Sequence, residues 1–370
     1  MGAINMTVIK YIAWFACAAS AEAVLQLLQN GIRRKGKTWI YLLGFLIKAF
    51  VSVSIAFCSM AYCSRIFWNL WYLPAVLYAV LLCDALADLS GAFLTLLRRD
   101  SHERTVTVIS AILTAVFMIY GTVNMEVIVP NHLSYTSGKL KEPHTFVFLA
   151  DLHYGTPQSE RTVENALREI AELKPEFVLL GGDITDDRTT LEQMHHIYEQ
   201  FGQLGVPVYY CYGNHDRQDH AYFIGGAAYT REELEETLRN NGITILKDEI
   251  AVISDDLVIL GREDITEGEG RKAAADLPSR PEGTYVISVD HSPYNEADIL
   301  ETGADLQLSG HTHGGQFFPL QYVYRLGVTN ILGEYRVGNT DLYVTPGIAG
   351  WYFPFRTVAH CNYEVITVEP

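Results

Sequence analysis

The stretch Ser309-Gly310-His311-Thr312-His313-Gly314-Gly315-Gln316 carries two imidazoles one residue apart, followed by paired glycines. Glycine permits tight backbone turns, and histidine nitrogens are common ligands of transition metals. We therefore predict that this stretch is a short loop that binds metal through His311 and His313. Two imidazoles do not complete a coordination shell, so the remaining ligands must come from other parts of the chain.

Four apolar runs upstream each end in polar residues that suit a metal site. Each run is rich in β-branched or aromatic residues and predicts a β-strand. The polar residues that follow the runs are Asp151 with His153, Asp183, Asn214 with His215 and Asp216, and Asp290 with His291. Because open α/β sheets bind ligands where their strands end, we expect these residues to meet at one edge.

The N-terminal third of the 370-residue chain is its most apolar part. Apolar stretches at about 5–28, 39–63, 68–97 and 105–129 each reach the roughly 20 residues that cross a bilayer as a helix. We predict a bundle of four transmembrane helices within residues 1–130. A cleaved signal peptide is the alternative for the first stretch, but cleavage near Ala21 would export the basic stretch at residues 33–37.

Charge is distributed unequally along the chain. Residues 1–130 hold ten Lys or Arg against six Asp or Glu, and the remainder holds 17 against 37, a net charge of −20. Basic residues cluster between the first two and the last two apolar stretches, so both loops should be cytoplasmic. We therefore predict a cell-membrane protein whose domain after residue 130 lies outside the cytoplasm. The negative charge of that domain argues against nucleic acid as a partner.

Four charged residues fall within the predicted spans, namely Glu22, Lys48, Asp84 and Asp88. A charge in hydrocarbon is costly unless it is paired or faces a wet interior. We therefore predict a buried charge cluster in the bundle. A structural ion pair is the favoured interpretation, and a polar cavity or sensing element is the alternative.

The C-terminal part alternates strands and helices. After a linker at residues 131–144, apolar residues repeat at helical spacing over 163–173 and 191–201, and Thr230 with Glu233 forms a capping-box pattern that opens a third helix. Short β-rich runs dominate from Ile243 onward. We predict that residues 145–370 form one α/β domain, with two packed mixed β-sheets flanked by helices.

The side chains at the strand ends are those that divalent Mn, Fe or Zn accepts, and they suffice for two ions. Two metals about 3.5–4 Å apart can hold a bridging hydroxide for attack on phosphorus. His215 is left over, and we predict that Asp216 orients it to protonate the leaving oxygen. Structural support of the ligands is the alternative role for His215.

The order Asp-x-His, Gly-Asp-x-x-Asp, Gly-Asn-His-Asp, His and Gly-His-x-His resembles the calcineurin-like metallophosphoesterases, from about residue 145 to the C-terminus. The resemblance implies two metal ions, one held by Asp151, His153, Asp183 and His313, and the other by Asp183, Asn214, His291 and His311. Asp183 would bridge them, and His215 would be the catalytic histidine. The Gly-Gly-Gln sequence and the multi-span N-terminus resemble the bacterial membrane-associated branch of the family.

Aromatic residues near the motifs suggest an apolar rim for an envelope lipid phosphate. We predict that Phe317, Phe318 and Trp351 contact the substrate, and the alternative is that they pack into the core of the domain. We also predict that Arg217 contacts a substrate phosphate, and the alternative is a surface ion pair. A phosphomonoester, a phosphodiester and a pyrophosphate are all candidate substrates. A membrane receptor or transporter with a regulatory metal-binding domain and a protein phosphatase are the competing functions.

Overall fold

The computed structural model describes residues 6–35, 37–61, 72–97, 103–221, 225–327 and 330–370. The chain divides into two compact units, Met1–Val123 and Asn124–Pro370. This boundary falls ahead of the linker that the sequence predicts.

The N-terminal unit is helical. It contains α1 (Met6–Arg33), α2 (Thr38–Ala61), α3 (Tyr72–Leu96) and nearly all of α4 (Glu103–Met125). Residues 62–71, which include the ends of two predicted spans, lie outside the described part of the chain. Among the described residues, three helical segments have the length and composition to cross a membrane: Thr38–Ala56, Leu73–Leu96 and Glu103–Met125. The described part of α1 is not among these segments, so the four predicted spans stay a prediction.

Buried charges link α1, α2 and α3. The Arg33 guanidinium lies 2.8 Å from Asp84 Oδ1 and 2.7 Å from Asp88 Oδ1, and Lys48 Nζ forms ion pairs with both carboxylates. Two buried cations therefore face two buried anions. The predicted cluster is present, and it includes Arg33, which the sequence placed in a cytoplasmic loop.

Glu22 joins this cluster through an amide. The Gln26 side chain donates to Glu22 Oε1 and to Asp84 Oδ1, both at 2.7 Å. Gln26 thus links Glu22 to a carboxylate of α3, which lowers the cost of these polar side chains in an apolar environment.

The C-terminal unit contains two six-stranded sheets among its described residues. The first has the order β1-β12-β2-β3-β4-β5, and the second has the order β10-β11-β9-β8-β7-β6. The strands are β1 (Ile128–Thr136), β2 (His144–Leu149), β3 (Val178–Gly181), β4 (Val208–Cys211), β5 (Ile243–Ile245), β6 (Glu249–Val252), β7 (Leu257–Gly261), β8 (Tyr285–Val289), β9 (Leu306–Ser309), β10 (Gly333–Val337), β11 (Thr340–Val344) and β12 (Cys361–Glu369).

Parallel pairing decides where the motifs meet. In the first sheet β2, β3 and β4 are mutually parallel neighbours, and in the second sheet β7, β8 and β9 are parallel neighbours. The carboxyl ends of neighbouring parallel strands lie at the same edge of a sheet, which is where α/β proteins bind ligands. All predicted motifs follow these strands directly.

Helices cover the outer face of the first sheet. The helices of this unit are α5 (Glu160–Leu173), α6 (Leu191–Gly202), α7 (Arg231–Asn240), α8 (Glu296–Thr302) and α9 (Leu320–Tyr324). Capping boxes open α6 at Thr190 and α7 at Thr230, and the second of these was predicted. The two sheets pack face to face around buried side chains such as Phe148, Leu179 and Ile259. The predicted fold class, helices followed by an α/β domain with two mixed sheets, is confirmed.

The predicted linker is wrong. Residues 128–136 form β1, which pairs in parallel with β12 from Ile128↔Cys361 to Thr136↔Glu369. The segment is polar because alternate side chains of this edge strand face outward, and a half-exposed edge strand resembles a linker in composition. The fourth predicted span also ends earlier than expected, because α4 stops at Met125.

The buried charge cluster gives a stability prediction. In Asp84→Ala, the buried cations Arg33 and Lys48 keep only one carboxylate partner, so the free energy of unfolding should fall by about 3–5 kcal/mol. The measurement is the thermal denaturation midpoint of the detergent-solubilised protein. Arg34→Ala is the control, because Arg34 is 72% exposed in its pair with Glu103 and its loss should cost less than about 1 kcal/mol. Equal losses in the two variants would contradict the prediction.

A second stability prediction concerns Glu364 on β12. Its Oε1 accepts a hydrogen bond from Thr345 Oγ1 at 2.8 Å, its Oε2 is buried without a partner among the described residues, and burial raises its pKa to about 8. The folded protein therefore binds a proton that the unfolded chain releases near pH 4.5. Stability from this group is complete below pH 4.5 and is lost as pH rises through 8.

Glu364→Gln should remove this loss, since a neutral amide keeps the hydrogen bond without a buried charge. We expect the denaturation midpoint of the variant to exceed that of the wild type by several degrees at pH 8.5 and to match it near pH 4.5. The measurement uses chelator-treated protein, so that metal binding does not contribute. A variant that is less stable at both pH values would show that Glu364 is charged and well solvated.

Candidate metal centre

Two groups of potential metal ligands lie at the common strand edge. Asp151, His153 and His313 form one group, and Asp183, His291 and His311 form the other; within each group the ligand atoms all lie within 4.8 Å of one another. All six residues were predicted from the sequence as metal ligands. The structure brings them together from the ends of β2, β3, β8 and β9.

Asp183 faces imidazoles of both groups. Its Oδ2 lies 3.1 Å from His291 Nε2 and 3.7 Å from His153 Nε2, and its Oδ1 accepts a hydrogen bond from the backbone N–H of His215 at 2.8 Å. Burial opposes the charge of Asp183, but the facing His291 and His215 hold the pKa of its carboxyl well below its usual range. Asp183 is thus an ionised carboxylate located between the two groups.

The imidazoles are oriented as metal ligands are. His291 Nδ1 donates to the carbonyl of Gly181 at 2.8 Å, and His153 Nδ1 lies 2.9 Å from Asp186 Oδ2. The opposite nitrogen of each ring, Nε2, is buried and faces the proposed shared ligand Asp183, at 3.1 Å for His291 and 3.7 Å for His153. An imidazole held by one nitrogen with the other directed at the ion is the usual arrangement around a protein-bound metal, so these residues fit the ions.

The histidines of the Gly-His-x-His loop are neutral at ordinary pH. Burial lowers the pKa of His311 to about 4, and burial beside His153 also lowers the pKa of His313. A neutral imidazole offers the lone pair that a metal needs. Asn214, the remaining predicted ligand, lies at this loop, because its Oδ1 accepts from His311 Nδ1 at 2.7 Å.

The backbone of the candidate ligands is strained. Five of the seven have a positive φ, a region that residues other than glycine rarely adopt: Asp151 at 59°, His153 at 45°, Asp183 at 52°, His311 at 71° and His313 at 50°. Such strain costs about 1–3 kcal/mol per residue and clusters at functional sites. The fold therefore holds these side chains in place at a cost in stability.

Close approach of backbone segments explains a glycine in the motif. A Cβ built on Gly213 would collide with Asp183 Oδ1 and lie 2.5 Å from Asp183 N. Only glycine lets the loop after β4 pass this close to the loop after β3. The Gly-Asn-His sequence can therefore place Asn214 and His215 beside Asp183.

His215 has a different carboxylate partner from the one predicted. Its Nδ1 lies 2.6 Å from Asp187 Oδ2. The carboxylate of Asp216 instead accepts from backbone N–H groups, those of Asp183 at 2.8 Å, Ile184 at 2.9 Å and Gly213 at 2.8 Å. The prediction that Asp216 orients His215 is wrong, because the side chain of the next residue in the turn points back into the loop after β3.

Asp187 also sets the protonation of His215. Burial opposes a charge on the ring, but Asp183 and Asp187 raise the pKa of His215 to about 10. His215 is therefore protonated at neutral pH, which is the form that can donate a proton. The sequence does place Asp186 and Asp187 in the same motif as Asp183. It does not reveal which histidine each of these carboxylates contacts.

Arg217 does not face the metal groups. Its guanidinium donates to Glu263 Oε1 at 2.9 Å and Oε2 at 2.8 Å, and its Cζ lies 3.5 Å from the centre of the Tyr212 ring. The predicted phosphate contact is wrong, because these donors are used in a buried ion pair. The alternative ion pair is present, although the sequence predicted it at the surface.

The predicted aromatic rim is divided. Phe317 is 1% exposed and packs with ring centres 5.5 Å from Phe353 and 5.7 Å from Phe355, so its predicted role in substrate binding is wrong and it belongs to the core. Phe318 is 40% exposed and its role stays a prediction. Trp351 is half-buried, and its ring centre lies 5.5 Å from that of His215.

Arg356 is a residue that the sequence analysis missed. It is fully buried and donates to the carbonyls of His313 at 2.8 Å, Ala349 at 2.9 Å and Gly347 at 3.3 Å. It thereby ties the loop of His311 and His313 to the segment that carries Trp351. A single arginine outside any motif gives no sequence signal for this role.

Comparison with known proteins agrees with this geometry. Residues 144–315 match the calcineurin-like phosphoesterase family. The chain is 28% identical over 286 residues to a zebrafish transmembrane protein with metallophosphoesterase domain, covering 71% of this chain and 62% of that protein. It is 27% identical over 244 residues to the phosphodiesterase YaeI of Escherichia coli K12, covering 61% of this chain and 82% of that protein.

A third relative extends further toward the N-terminus. The uncharacterized metallophosphoesterase Cj0846 of Campylobacter jejuni is 26% identical over 329 residues, which cover 81% of this chain and 82% of that protein. All seven predicted metal ligands lie within the matched residues 144–315. Residues 144–315 are therefore similar to calcineurin-like phosphoesterase domains, and this similarity supports metal-dependent phosphohydrolase chemistry at the site.

Proposed function

We propose that this protein is a membrane-anchored phosphoesterase that uses two divalent metal ions to hydrolyse a lipid-linked phosphate. The observation that carries the proposal is the meeting of two ligand groups at Asp183. Asp151, His153, Asp183 and His313 would hold one ion, and Asp183, Asn214, His291 and His311 the other. Their mixture of oxygen and nitrogen donors suits Mn, Zn or Fe. When bound, such ions stabilise negative charge on a phosphoryl group and acidify water.

His215 is the proposed proton donor to the leaving oxygen. Asp187 holds Nδ1 at 2.6 Å, which leaves Nε2 as the nitrogen available to a substrate. A protonated imidazole within hydrogen-bond reach of a leaving oxygen can supply the proton that the departing alkoxide needs. Asp187 acts through His215 and is a positioning residue.

The lipid part of the proposal is supported by where the domain begins. The third candidate span ends at Met125, and the domain's own first residues, Asn124 and Met125, lie against the segment that carries Trp351. Asn124 Nδ2 donates to the carbonyls of Arg356 at 3.2 Å and Ala359 at 2.8 Å. A Cβ at Gly350 would lie 2.5 Å from Met125 Cε. A domain that begins directly after an apolar helix suits a substrate anchored in a bilayer.

In the proposed topology, the chain crosses the membrane four times and the C-terminal domain lies outside the cytoplasm. Arg33, Arg34, Lys35 and Lys37 lie at the α1–α2 connection, and Arg104 begins α4; Arg98 and Arg99 lie outside the described residues. The polar residues of α1 do not exclude a span, because Glu22, Gln26 and Arg33 form hydrogen bonds or ion pairs with neighbouring helices and so need not face lipid.

The first prediction from this function concerns metal and turnover. Asp183→Asn should abolish metal-dependent hydrolysis of bis(p-nitrophenyl) phosphate and lower the bound metal measured by elemental analysis, because the shared charge is lost. His215→Ala should keep the metal and lower kcat by about 10²–10⁴-fold on an alkyl ester. The loss should be smaller on p-nitrophenyl esters, whose leaving group needs no proton. Asp187→Asn should follow the same pattern more weakly.

Asp219→Asn is the matched control, since Asp219 is on the same loop as His215 but is exposed in an ion pair with Arg231. It should leave metal content and kcat unchanged. An Asp183→Asn protein with wild-type metal content and activity would refute the assignment of the centre.

The second prediction tests the side of the membrane. A cysteine introduced at the exposed Ser279 should react with an impermeant thiol reagent in intact cells, because the domain is proposed to lie outside the cytoplasm. The wild type provides the background, as Cys211 and Cys361 are buried. Labelling that requires lysis would reverse the proposed orientation.

A further inference from the structure

The indole of Trp351 lies beside His215, the proposed proton donor. Its ring centre lies 5.5 Å from that of His215, at an interplanar angle of 30°. The leaving oxygen must come within hydrogen-bond distance of His215 to receive a proton. Whatever group is attached to that oxygen therefore lies beside the indole of Trp351.

The position of Trp351 is set by buried polar groups. Its backbone N–H donates to Gln316 Oε1 at 3.0 Å, and Gln316 Nε2 donates to the carbonyls of Phe353 at 3.3 Å and Phe355 at 3.0 Å. Gln316 is fully buried and follows the metal-binding loop directly in sequence. The backbone of Trp351 is therefore held to the same loop that carries His313.

The segment that carries Trp351 contacts Met125, the residue at which the apolar helix α4 ends. Trp351 follows Gly350, which packs closely against Met125. The Gln158 side chain joins the two segments, because its Nε2 donates to the carbonyls of Met125 at 2.7 Å and Ile348 at 3.0 Å. Trp351 is therefore one residue away in sequence from the close contact between Gly350 and Met125.

The other end of the centre is different in character. Tyr294 lies against His311, with ring centres 5.2 Å apart, and it is 44% exposed. Its neighbours Asn295, Glu296 and Ala297 are also exposed, and α8 begins there with acidic residues. This end is open and polar, and it suits a hydrated group.

We infer that the arm of the substrate released with the leaving oxygen is its apolar, membrane-embedded arm, seated against Trp351. The polar arm stays on phosphorus and leaves toward the Tyr294 end. This inference rests on the proposed function. It specifies which of the two ester bonds of a lipid phosphodiester is hydrolysed. Trp351 is a specificity-determining residue for the leaving group.

The reaction that follows has a defined balance. The oxygen of water bonds to phosphorus, the bond between phosphorus and the lipid alcohol oxygen breaks, and that oxygen takes the proton of His215. His215 recovers a proton from the attacking water. The products are a lipid alcohol and a water-soluble phosphate monoester.

The test is product identification with dioctanoyl phosphatidylglycerol in nonionic detergent micelles, using the full-length protein with Mn²⁺. We expect dioctanoylglycerol and glycerol phosphate, detected by mass spectrometry. Dioctanoyl phosphatidic acid and glycerol would overturn the inference while the proposed function stands. No turnover of the lipid, with turnover of bis(p-nitrophenyl) phosphate, would overturn the inference and the lipid substrate together. No turnover of either ester would refute the proposed phosphoesterase function.

Variants separate the role of Trp351 from general damage. Trp351→Ala should lower kcat/KM for the lipid about tenfold or more, because an apolar contact with the leaving arm is lost. It should change kcat/KM for glycerophosphoglycerol, which has the same polar arms and no acyl chains, by much less. Trp351→Phe should restore most of the lipid activity, and Tyr294→Ala, the matched control at the other end, should not discriminate between the substrates. Equal losses on both substrates in Trp351→Ala would assign the indole to the fold and overturn the inference.

Discussion

Asp183 brings a buried negative charge to the edge where both sheets end, and the surrounding residues are arranged to keep that charge. Two imidazoles face its carboxylate, a backbone N–H binds its second oxygen, and its own backbone adopts a left-handed conformation. The loop after β4 passes so close that its second residue, Gly213, has no room for a side chain. A buried carboxylate without such partners would be neutral, and it could not serve as the shared ligand of two cations.

Around this point, buried polar groups position the site more than apolar packing does. Asp216 binds three neighbouring backbone N–H groups of the β3 loop. Arg356 binds four backbone carbonyls around the last loop, and Gln316 connects that loop to Trp351. Each group is nearly or fully buried, and each would carry a large desolvation cost if a partner were missing. The loops of the site are therefore held by interactions that are costly to break, which suits a centre that must keep its geometry between turnovers.

The same principle operates in the helical unit with a different result. Arg33 and Lys48 balance Asp84 and Asp88, and no charge of these four is left without an opposite partner. A balanced set stabilises helix packing and needs no ligand. This agrees with the structural interpretation of the buried charges in the helical unit. The catalytic chemistry is thus concentrated in the C-terminal unit.

The sequence by itself determined which residues could form the metal centre and in which order their strands occur, because ligand chemistry and strand periodicity are local properties. It also determined the main helices, through helical spacing and the capping box at Thr230. Tertiary structure decided which groups touch. Asp187 rather than Asp216 reaches His215, Arg217 pairs with Glu263, Phe317 enters the core, and residues 128–136 pair with the C-terminal strand. Each of these outcomes depends on the direction of a side chain or on a partner distant in sequence. The spacing of residues along the chain encodes neither the side-chain direction nor the distant partner.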